Sequence, residues 1–442
     1  MSDLEIFAFM DGAYPFVPYA GKRKSNFIDL PNENFETTLG QRAIADQVDL
    51  LVEAENLGFD GVIMSEQHNG PIGTTGNPLQ MGAAVAARTS HMKIGVVGSI
   101  LNAYSSPVRM AEEVAWLDNY SGGRLLFGLP MGHGMQYHSV GVMNPATARA
   151  RYREAHDVLI QALSQPGPTE WQGEFFNIPY VNLWPRPLQT PHPEIFIPAG
   201  GSPETLEFVA KHHYTYLAVL TPRSAMAARL KAFRELCNEQ GYETERKQVV
   251  ISVGIHVAET DKQARLESEA HDLWQFQNFF LSPYHDNFPP GYVSDKAIRG
   301  MLGGGQYRSR SMNEFSFEDM VENGWLVVGS PETVASQLQE LTEEAGAGRI
   351  FAALNAGSKH TWLARKAMSL FAEEVIPKLR PGGTPLWKKN PPEGYTTASE
   401  YGARVPQNAQ TPQATFGDGL VDVRKAHIEE LREPLESWRP TG

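Results

Sequence analysis

Short apolar runs alternate with helical patterns along most of this 442-residue chain, and this alternation limits the folds that it can adopt. Eight runs have the composition of strands: Leu4–Phe9, Gly61–Met64, Lys93–Ser99, Arg124–Leu129, Glu194–Pro198, Tyr214–Leu220, Val249–Val257 and Arg349–Leu354. The helical patterns that separate them are Gln41–Asn56, Ala83–Thr89, Arg149–Leu163, Pro203–Lys211, Ser224–Gln240, Asp261–Phe280, Pro331–Glu344 and Trp362–Val375. Short apolar strands are typical of a parallel sheet that is buried on both faces. Eight of them with helices between predict a TIM (β/α)8 barrel.

The clearest single repeat is Ser106–Gly128, one helix and the strand after it. Pro107 suits the first helical turn, where its missing N–H is not needed, and Gly122 and Gly123 end the helix. The predicted apolar face of this helix comprises Val108, Ala111, Ala115, Trp116 and Leu117. We expect that face to pack against the barrel.

Three segments fall outside the repeat. Thr169–Trp184 predicts a short hairpin before the fifth strand, and Leu281–Asn323 predicts an insertion between strands seven and eight. Long loops at this level usually bind or cover a ligand, so we expect the insertion to form a lid. The predicted organisation is a barrel over residues 1–380, with its lid at about 281–323, and a C-terminal extension over 381–442.

Composition excludes several classes of protein. The net charge of −13 and the lack of a Lys/Arg cluster argue against a nucleic-acid partner. Cys237 is the only cysteine, which excludes an internal disulfide framework and an all-cysteine metal site. No apolar run is long enough for a bilayer and no secretory signal is visible, so we expect a cytoplasmic protein that binds no membrane.

The segment Ser65–Pro78 follows the second predicted strand, at the end of the barrel where ligands of such folds bind. Gln67 can donate and accept hydrogen bonds but cannot act as a base near neutral pH, whereas His68 can. An alternative is that His68 is a loop histidine bonded to a backbone carbonyl. Glu66 is expected to be structural.

The segment Ile197–His212 follows the fifth predicted barrel strand and suits an anion. Gly200 and Gly201 permit close backbone approach, Ser202 suits a helix N-cap, and Thr205 adds a hydroxyl one turn inside. Free N–H groups at a helix N-terminus attract anions even on an acidic protein. The same GSPET sequence recurs at 329–333, where we expect only a helix cap.

Together these motifs resemble the bacterial luciferase-like superfamily, flavin-dependent monooxygenases built on a TIM barrel. The resemblance covers residues 4–379 and rests on Ser65–Pro78, Ser106–Gly128 and Ile197–His212. After the second strand, that family commonly has Glu-His-His followed by Gly-Asn-Pro. Here Gln67 stands in place of the first histidine, which in the family often lies beside the reactive part of the flavin. Proton transfer here would therefore differ from that of luciferase.

The resemblance implies site residues that lie after several strands. The implied catalytic residues are Gln67, His68, Asn102 and Tyr104. The implied cofactor-binding residues are Gly98, Ser99, Met131, Tyr137, Gly200, Gly201, Ser202 and Thr205. Gly98–Ser99 falls where the family has a non-prolyl cis peptide beside the flavin ring. Met131 stands where some relatives have an arginine for the flavin phosphate, so Arg151, Arg153 or backbone dipoles would compensate that charge.

The implied function is that of a two-component monooxygenase. The protein would bind reduced FMN, activate O2 as a flavin peroxide, and insert one oxygen atom into a small organic substrate, apolar or aromatic. A separate flavin reductase would supply the reduced cofactor, because no GxGxxG nicotinamide motif is found after a strand. The family also implies a homodimer.

Three alternatives remain open at this stage. A deazaflavin-dependent dehydrogenase would use the same barrel, because one scaffold supports several chemistries. A non-catalytic flavin-binding protein is suggested by Gln67. A metal-dependent barrel hydrolase is disfavoured because the first strand ends Phe9-Met10-Asp11-Gly12, without paired histidines. We therefore expect no metal.

Overall fold

The eight predicted strand runs form a closed, all-parallel barrel. The computed structural model describes residues 4–17, 23–132, 136, 144–200, 202–279, 281–283, 289, 291–292, 314–355 and 357–380. The barrel strands are β1 (Glu5–Met10), β2 (Gly61–Met64), β3 (Lys93–Val97), β4 (Leu125–Gly128), β7 (Glu194–Ala199), β8 (Thr215–Ala218), β9 (Val249–Val257) and β11 (Arg349–Asn355). They pair in the order β1-β2-β3-β4-β7-β8-β9-β11, and β11 closes the ring on β1. The predicted barrel is confirmed, and each strand end lies within two residues of its predicted position.

Helices cover the outside of the ring. They are α1 (Thr37–Leu57), α2 (Pro78–Ala86), α3 (Pro107–Tyr120), α4 (Ala148–Ser164), α5 (Pro203–Lys211), α6 (Arg223–Glu239), α7 (Asp261–Phe279), α8 (Phe317–Glu322), α9 (Pro331–Ala345), α10 (Thr361–Leu370) and, after a π-helical turn, α11 (Ile376–Leu379). α2 begins five residues before the predicted Ala83, because the Asn77 side chain accepts hydrogen bonds from Leu79 N and Gln80 N. An N-cap asparagine followed by proline is a strong helix start.

Two cores hold the barrel together. Between the strands and the helices lies one large apolar cluster, to which most of the helices contribute. Inside the ring, eight buried side chains fill the barrel: Phe7, Ile63, Val97, Leu126, Phe196, Leu217, Val250 and Phe351. The interior is therefore packed, and a ligand can reach only its end.

Two further strands form the predicted hairpin. β5 (Thr169–Gln172) and β6 (Asn177–Val181) pair antiparallel, as Thr169–Trp184 predicted. A strand that we did not predict, β10 (Leu326–Gly329), pairs with β9 from Gly254 to Val257, beyond the part of β9 that pairs with β8.

The predicted apolar face of α3 was wrong at one position. Trp116 is 49% exposed, whereas Ala111, Ala115 and Leu117 are buried as expected. Successive helical residues point about 100° apart, so Trp116 cannot face the barrel together with both of its neighbours.

The predicted lid lies largely outside the described residues, and the predicted extension, 381–442, lies wholly outside them. At the start of the insertion, Ser282 Oγ accepts a hydrogen bond from Ser25 Oγ and Leu281 O accepts one from Asn26 N. The N-terminal loop therefore binds the segment where it leaves α7. Among the described helices, none combines the length and the apolar character that a membrane span requires.

Candidate active site at the mouth of the barrel

The carboxyl ends of β1 and β2 bring three polar side chains together. The strands pair with Phe9 opposite Ile63, so the residues that follow them lie side by side at the mouth. Ser65 Oγ donates a hydrogen bond to Asp11 Oδ1 at 2.5 Å, and Gln67 Nε2 donates to Ser65 Oγ at 3.1 Å. Gln67, predicted as a site residue, therefore lies in the mouth, and its side chain is oriented by two neighbours.

Asp11 is a site residue that the sequence analysis missed. Burial raises the pKa of Asp11 to about 6, although the hydrogen bonds from Ser65 lower it. A carboxyl group in a cleft whose pKa is displaced toward neutrality is a frequent property of functional sites. Its position directly after the first strand was the available signal, but we used it only to argue against paired histidines.

Glu66 and His68 form a pair on the loop after β2. Glu66 is 3% exposed; its Oε1 lies 2.6 Å from His68 Nε2, and its Oε2 accepts a hydrogen bond from Ile100 N at 2.9 Å. Burial raises the pKa of Glu66, against the lowering effect of His68. Glu66 joins the loops after β2 and β3, in agreement with its expected structural role, and it orients the ring of His68.

The loop after β3 differs from the expectation at one bond. Gly98–Ser99 is not cis: in the described part of the chain the cis peptides precede prolines, at Pro168, Pro185 and Pro191. A non-prolyl cis bond costs about 3–4 kcal/mol. The chain instead passes Pro130 closely at Gly98, where an added Cβ would lie 2.6 Å from Pro130 Cγ.

Ser99 occupies a position that suits a ligand contact. It is fully buried, and its Oγ has no hydrogen-bond partner among the described residues. Buried hydroxyl groups are normally bonded, so an unpaired one beside a ligand-binding rim indicates a missing partner.

Asn102 and Tyr104 make their hydrogen bonds with the surrounding scaffold. Asn102 Nδ2 donates to Ala148 O at 3.2 Å, and the Tyr104 hydroxyl donates to Glu113 Oε2 at 2.9 Å. Burial, followed by the charge of Glu113, raises the pKa of Tyr104. Among the described residues, no hydrogen bond joins either of these two side chains to Gln67, and their catalytic roles stay predictions.

Arg151 is occupied by the same loop. It donates hydrogen bonds to the backbone oxygens of Asn102 and Tyr104, and its guanidinium lies 4.9 Å from the centre of the Phe176 ring. It therefore braces the loop after β3. Met131 is half-buried against the apolar core, and Tyr137 lies outside the described residues.

The turn between β7 and α5 has an unusual helix start. Ser202 Oγ bonds to Thr205 Oγ1 at 2.8 Å and caps no backbone N–H, while Thr205 N donates to Ser202 O. A Cβ added to Gly200 would meet no atom within 4 Å among the described residues. Gly201 lies outside the described residues. The approach to this helix terminus is open at Gly200.

The second GSPET copy has the same hydroxyl pair, Ser330 Oγ and Thr333 Oγ1 at 3.1 Å, but it differs in its cap and in its neighbours. Ser330 Oγ accepts a hydrogen bond from Thr333 N at 3.4 Å, so this copy is a helix cap, as predicted. Ser330 N donates to Asp261 Oδ1 at 2.7 Å, and this hydrogen bond lowers the pKa of Asp261. A carboxylate of the protein itself thus lies where an anion would bind at the start of α9. The second copy thus binds a carboxylate of the protein itself, whereas at the first copy the described residues leave the space beside Gly200 unfilled.

Among the described residues, no group of three His, Cys, Asp or Glu side chains could hold a metal ion together. The polar groups at the mouth, with the packed apolar interior beneath them, instead suit an organic ligand. Residues 27–349 match the luciferase-like monooxygenase family. This chain belongs to that family.

Individual relatives agree with this assignment. The chain is 25% identical over 346 residues to limonene 1,2-monooxygenase of Rhodococcus erythropolis, covering 76% of this chain and 81% of that protein. Its fold is similar to that of the oxygenating constituent of 3,6-diketocamphane monooxygenase from Pseudomonas putida in complex with FMN (TM-score 0.63, 19% identity, 85% and 99% of the two chains). It is also similar to an F420-dependent secondary alcohol dehydrogenase (TM-score 0.61, 16% identity, 86% and 99%). The protein is an oxidoreductase of the luciferase-like family.

Proposed function

We propose that this protein is the oxygenase component of a two-component monooxygenase that uses reduced FMN and O2. The observation that carries this proposal is a pair of buried oxygens, Gln67 Oε1 and Ser99 Oγ, which have no hydrogen-bond partner among the described residues and lie at the mouth of a barrel whose interior is closed by side chains. Each such atom is costly unless a ligand supplies its partner, by about 1–3 kcal/mol. A flavin ring has N–H and C=O groups along one edge and fits both.

The turn at Ser202 suits the flavin phosphate. Two hydroxyls, Ser202 Oγ and Thr205 Oγ1, lie together at the start of α5, and the approach at Gly200 is open. Hydroxyls and N–H groups at a helix N-terminus bind phosphate without a cationic side chain. Arg151, whose hydrogen bonds go to the loop after β3, is then not required for the phosphate.

Reduced flavin would react with O2, and the residues of this chain would orient the reacting partners and exclude water. Gln67 and His68 would orient the reacting partners, and Glu66 would hold the ring of His68. The segment 281–323 would cover the mouth, which excludes water from the reaction. We expect a small apolar substrate, since limonene and 3,6-diketocamphane monooxygenases are both named for small apolar molecules.

The proposal includes two protein partners. A separate reductase would supply reduced FMN, since the sequence lacks a nicotinamide-binding motif. A second copy of this chain would pack on α3, where the stacked rings of Trp116 and Tyr120, 4.9 Å apart, are about half exposed beside a groove of about 440 Å³. Arg109 and Glu112 lie on the same helix, so two copies related by a two-fold axis can pair opposite charges.

A deazaflavin-dependent dehydrogenase is the second candidate, favoured by the similarity to the F420-dependent alcohol dehydrogenase. The test titrates the purified full-length protein, without O2, with reduced FMN and with reduced deazaflavin, and then admits 18O2 in the presence of a panel of cyclic apolar substrates. We expect reduced FMN to bind and one 18O atom to enter the product. Hydride transfer with deazaflavin in the absence of O2, and no 18O incorporation with FMN, would replace the proposal by the alternative.

A further inference from the structure

We propose that Asp11 and Ser65 fix the side-chain amide of Gln67 so that its Oε1 offers a hydrogen-bond acceptor at the barrel mouth, which selects a ligand carrying an N–H or O–H donor. Asp11 and Ser65 are positioning residues, and Gln67 makes the contact. The nature of the ligand rests on the proposed function, whereas the orientation of Gln67 does not.

The orientation follows from counting protons. Ser65 has one hydroxyl proton, and the 2.5 Å contact with Asp11 Oδ1 uses it, because an ionised carboxylate can only accept. Toward Gln67, Ser65 Oγ can therefore only accept. The Gln67 group at 3.1 Å must be the amide nitrogen, and Oε1 points the other way.

The surroundings of Gln67 keep it in place. It is 8% exposed, its backbone N–H donates to Thr75 O at 2.9 Å, and a Cβ added to Gly73 would lie 2.7 Å from its Cγ. The side chain is thus packed from the loop side. Oε1 is buried and has no partner in the part of the chain that the structure describes, so a ligand donor would satisfy it.

Flavin chemistry gives this acceptor a consequence. Two-electron reduction converts the N5 atom of the flavin ring from a hydrogen-bond acceptor into an N–H donor. An acceptor fixed by the protein therefore stabilises the reduced form relative to the oxidised form, and a donor does the opposite. Gln67, in place of the family's histidine, would set the preference for the redox state that must bind first.

The state of Asp11 controls the arrangement. Burial raises its pKa to about 6, and when Asp11 is protonated it can donate to Ser65 Oγ. The Ser65 hydroxyl can then donate its hydrogen bond to Gln67. The amide of Gln67 can rotate to accept this bond with Oε1, and it then presents its N–H groups to the ligand. The acceptor exists above about pH 6 and is lost below it.

Among the described residues, Ser65 is the polar partner of Asp11. On β11, Asn355 lies opposite Met10, and on α1 the Gln47 side chain contacts Met10 O. In the titratable pair on the loop after β2, Glu66 binds His68 with one oxygen and accepts a hydrogen bond from Ile100 N with the other. Burial accordingly raises the pKa of Asp11, and the hydrogen bonds from Ser65 lower it by a smaller amount.

The test measures the dissociation constants of oxidised and reduced FMN without O2, from pH 5 to pH 8. We express the preference as the dissociation constant of oxidised FMN divided by that of reduced FMN. For the wild type we expect this ratio to exceed one above pH 6 and to decrease at lower pH. Gln67→Met, similar in shape but without the acceptor, should lower the ratio about tenfold at pH 7.5 and remove its dependence on pH. Ser65→Ala should lower it in the same direction. Gln248→Met, at the opposite end of the barrel, is the control and should change neither constant.

The outcomes separate the two proposals. If the wild type binds FMN but Gln67→Met keeps the same ratio and the same pH profile, the inference is overturned and the proposed function stands. If the wild type binds neither form, the proposed function fails, and titration of the Asp11 carboxyl by 13C NMR then tests whether Asp11 and Ser65 orient Gln67. A pKa of Asp11 near 6 that rises in Ser65→Ala supports this orientation, and an ordinary pKa that Ser65→Ala does not change overturns it.

Discussion

Lys359 and Asp272 form an ion pair 3.1 Å apart, and both side chains are almost completely withdrawn from solvent. Lys359 follows β11 at the rim of the barrel, and Asp272 lies on α7, the helix that leads into the segment 281–323. Lys359 Nζ also donates to Leu354 O, and Ser268 Oγ donates to Asp272 Oδ2. The pair fastens α7, the helix that leads into the segment 281–323, to the segment after the last barrel strand.

Breaking this pair should be costly. Lys359→Met leaves the Asp272 carboxylate buried without its cation, so we expect the free energy of unfolding to fall by about 3–5 kcal/mol, measured by urea denaturation. Lys359→Met/Asp272→Leu removes both charges and should recover most of the loss. Equal stability of the single and double variants would contradict this account.

The end of the barrel opposite the mouth should govern stability in acid. Arg349 is 5% exposed and pairs with Glu5 at 2.6 Å and with Glu194. Burial raises the pKa of Glu5, but Arg349 and Lys93 outweigh it and lower the pKa to about 2. The unfolded chain therefore binds a proton at this group first, so its stabilising contribution is present above about pH 4.5 and is lost as the pH falls toward 2. Glu5→Gln should flatten this part of the pH dependence of unfolding, by up to about 3 kcal/mol. An unchanged slope between pH 5 and pH 3 would refute the assignment.

The two GSPET copies offer a matched test of phosphate binding. Ser202→Ala/Thr205→Val should weaken FMN binding about tenfold or more in calorimetry, because hydrogen bonds to a charged group contribute about 1.5–3 kcal/mol each. Riboflavin, which lacks the phosphate, should bind the variant and the wild type equally.

Ser330→Ala is the control for this pair. It removes the cap of α9 and should lower stability by about 1 kcal/mol without changing FMN affinity. A loss of FMN affinity in Ser330→Ala equal to that in the double variant would show that helix capping, and not phosphate contact, explains the effect.

The exposed face of α3 should mediate self-association. Trp116→Glu places a charge in the proposed contact, so we expect light scattering to show a monomer where the wild type is a dimer. Tyr180→Glu, at another exposed aromatic residue, 74% exposed on β6, should leave the dimer intact. A wild-type monomer, or a dimer that survives Trp116→Glu, would reject this interface.

Much of the fold could be predicted because its signals are local. Strands buried on both faces appear as short apolar runs, and helix starts carry their caps beside them, as at Ser330–Pro331. The hairpin at 169–184 and the structural role of Glu66 were also predicted. The error at Trp116 arose because composition was counted without the angular position of each residue on the helix.

The site could be predicted only in part. Gln67 lies at the mouth as expected, but Asp11, its indirect partner, precedes Ser65 by 54 residues and has no motif of its own. The Gly98–Ser99 bond was expected to be cis by resemblance alone, and in the structure it is trans.

The sequence by itself determined most of the segments that become strands and helices, because strand and helix formation depends on residues within a few positions of one another. The tertiary structure alone decided that Asp11, Ser65 and Gln67 share hydrogen bonds, and that the GSPET turn at 329–333 binds the carboxylate of Asp261. The physical reason is that closing the barrel aligns strand ends that are distant in the chain. Hydrogen bonds and burial act only across the short distances which that closure creates.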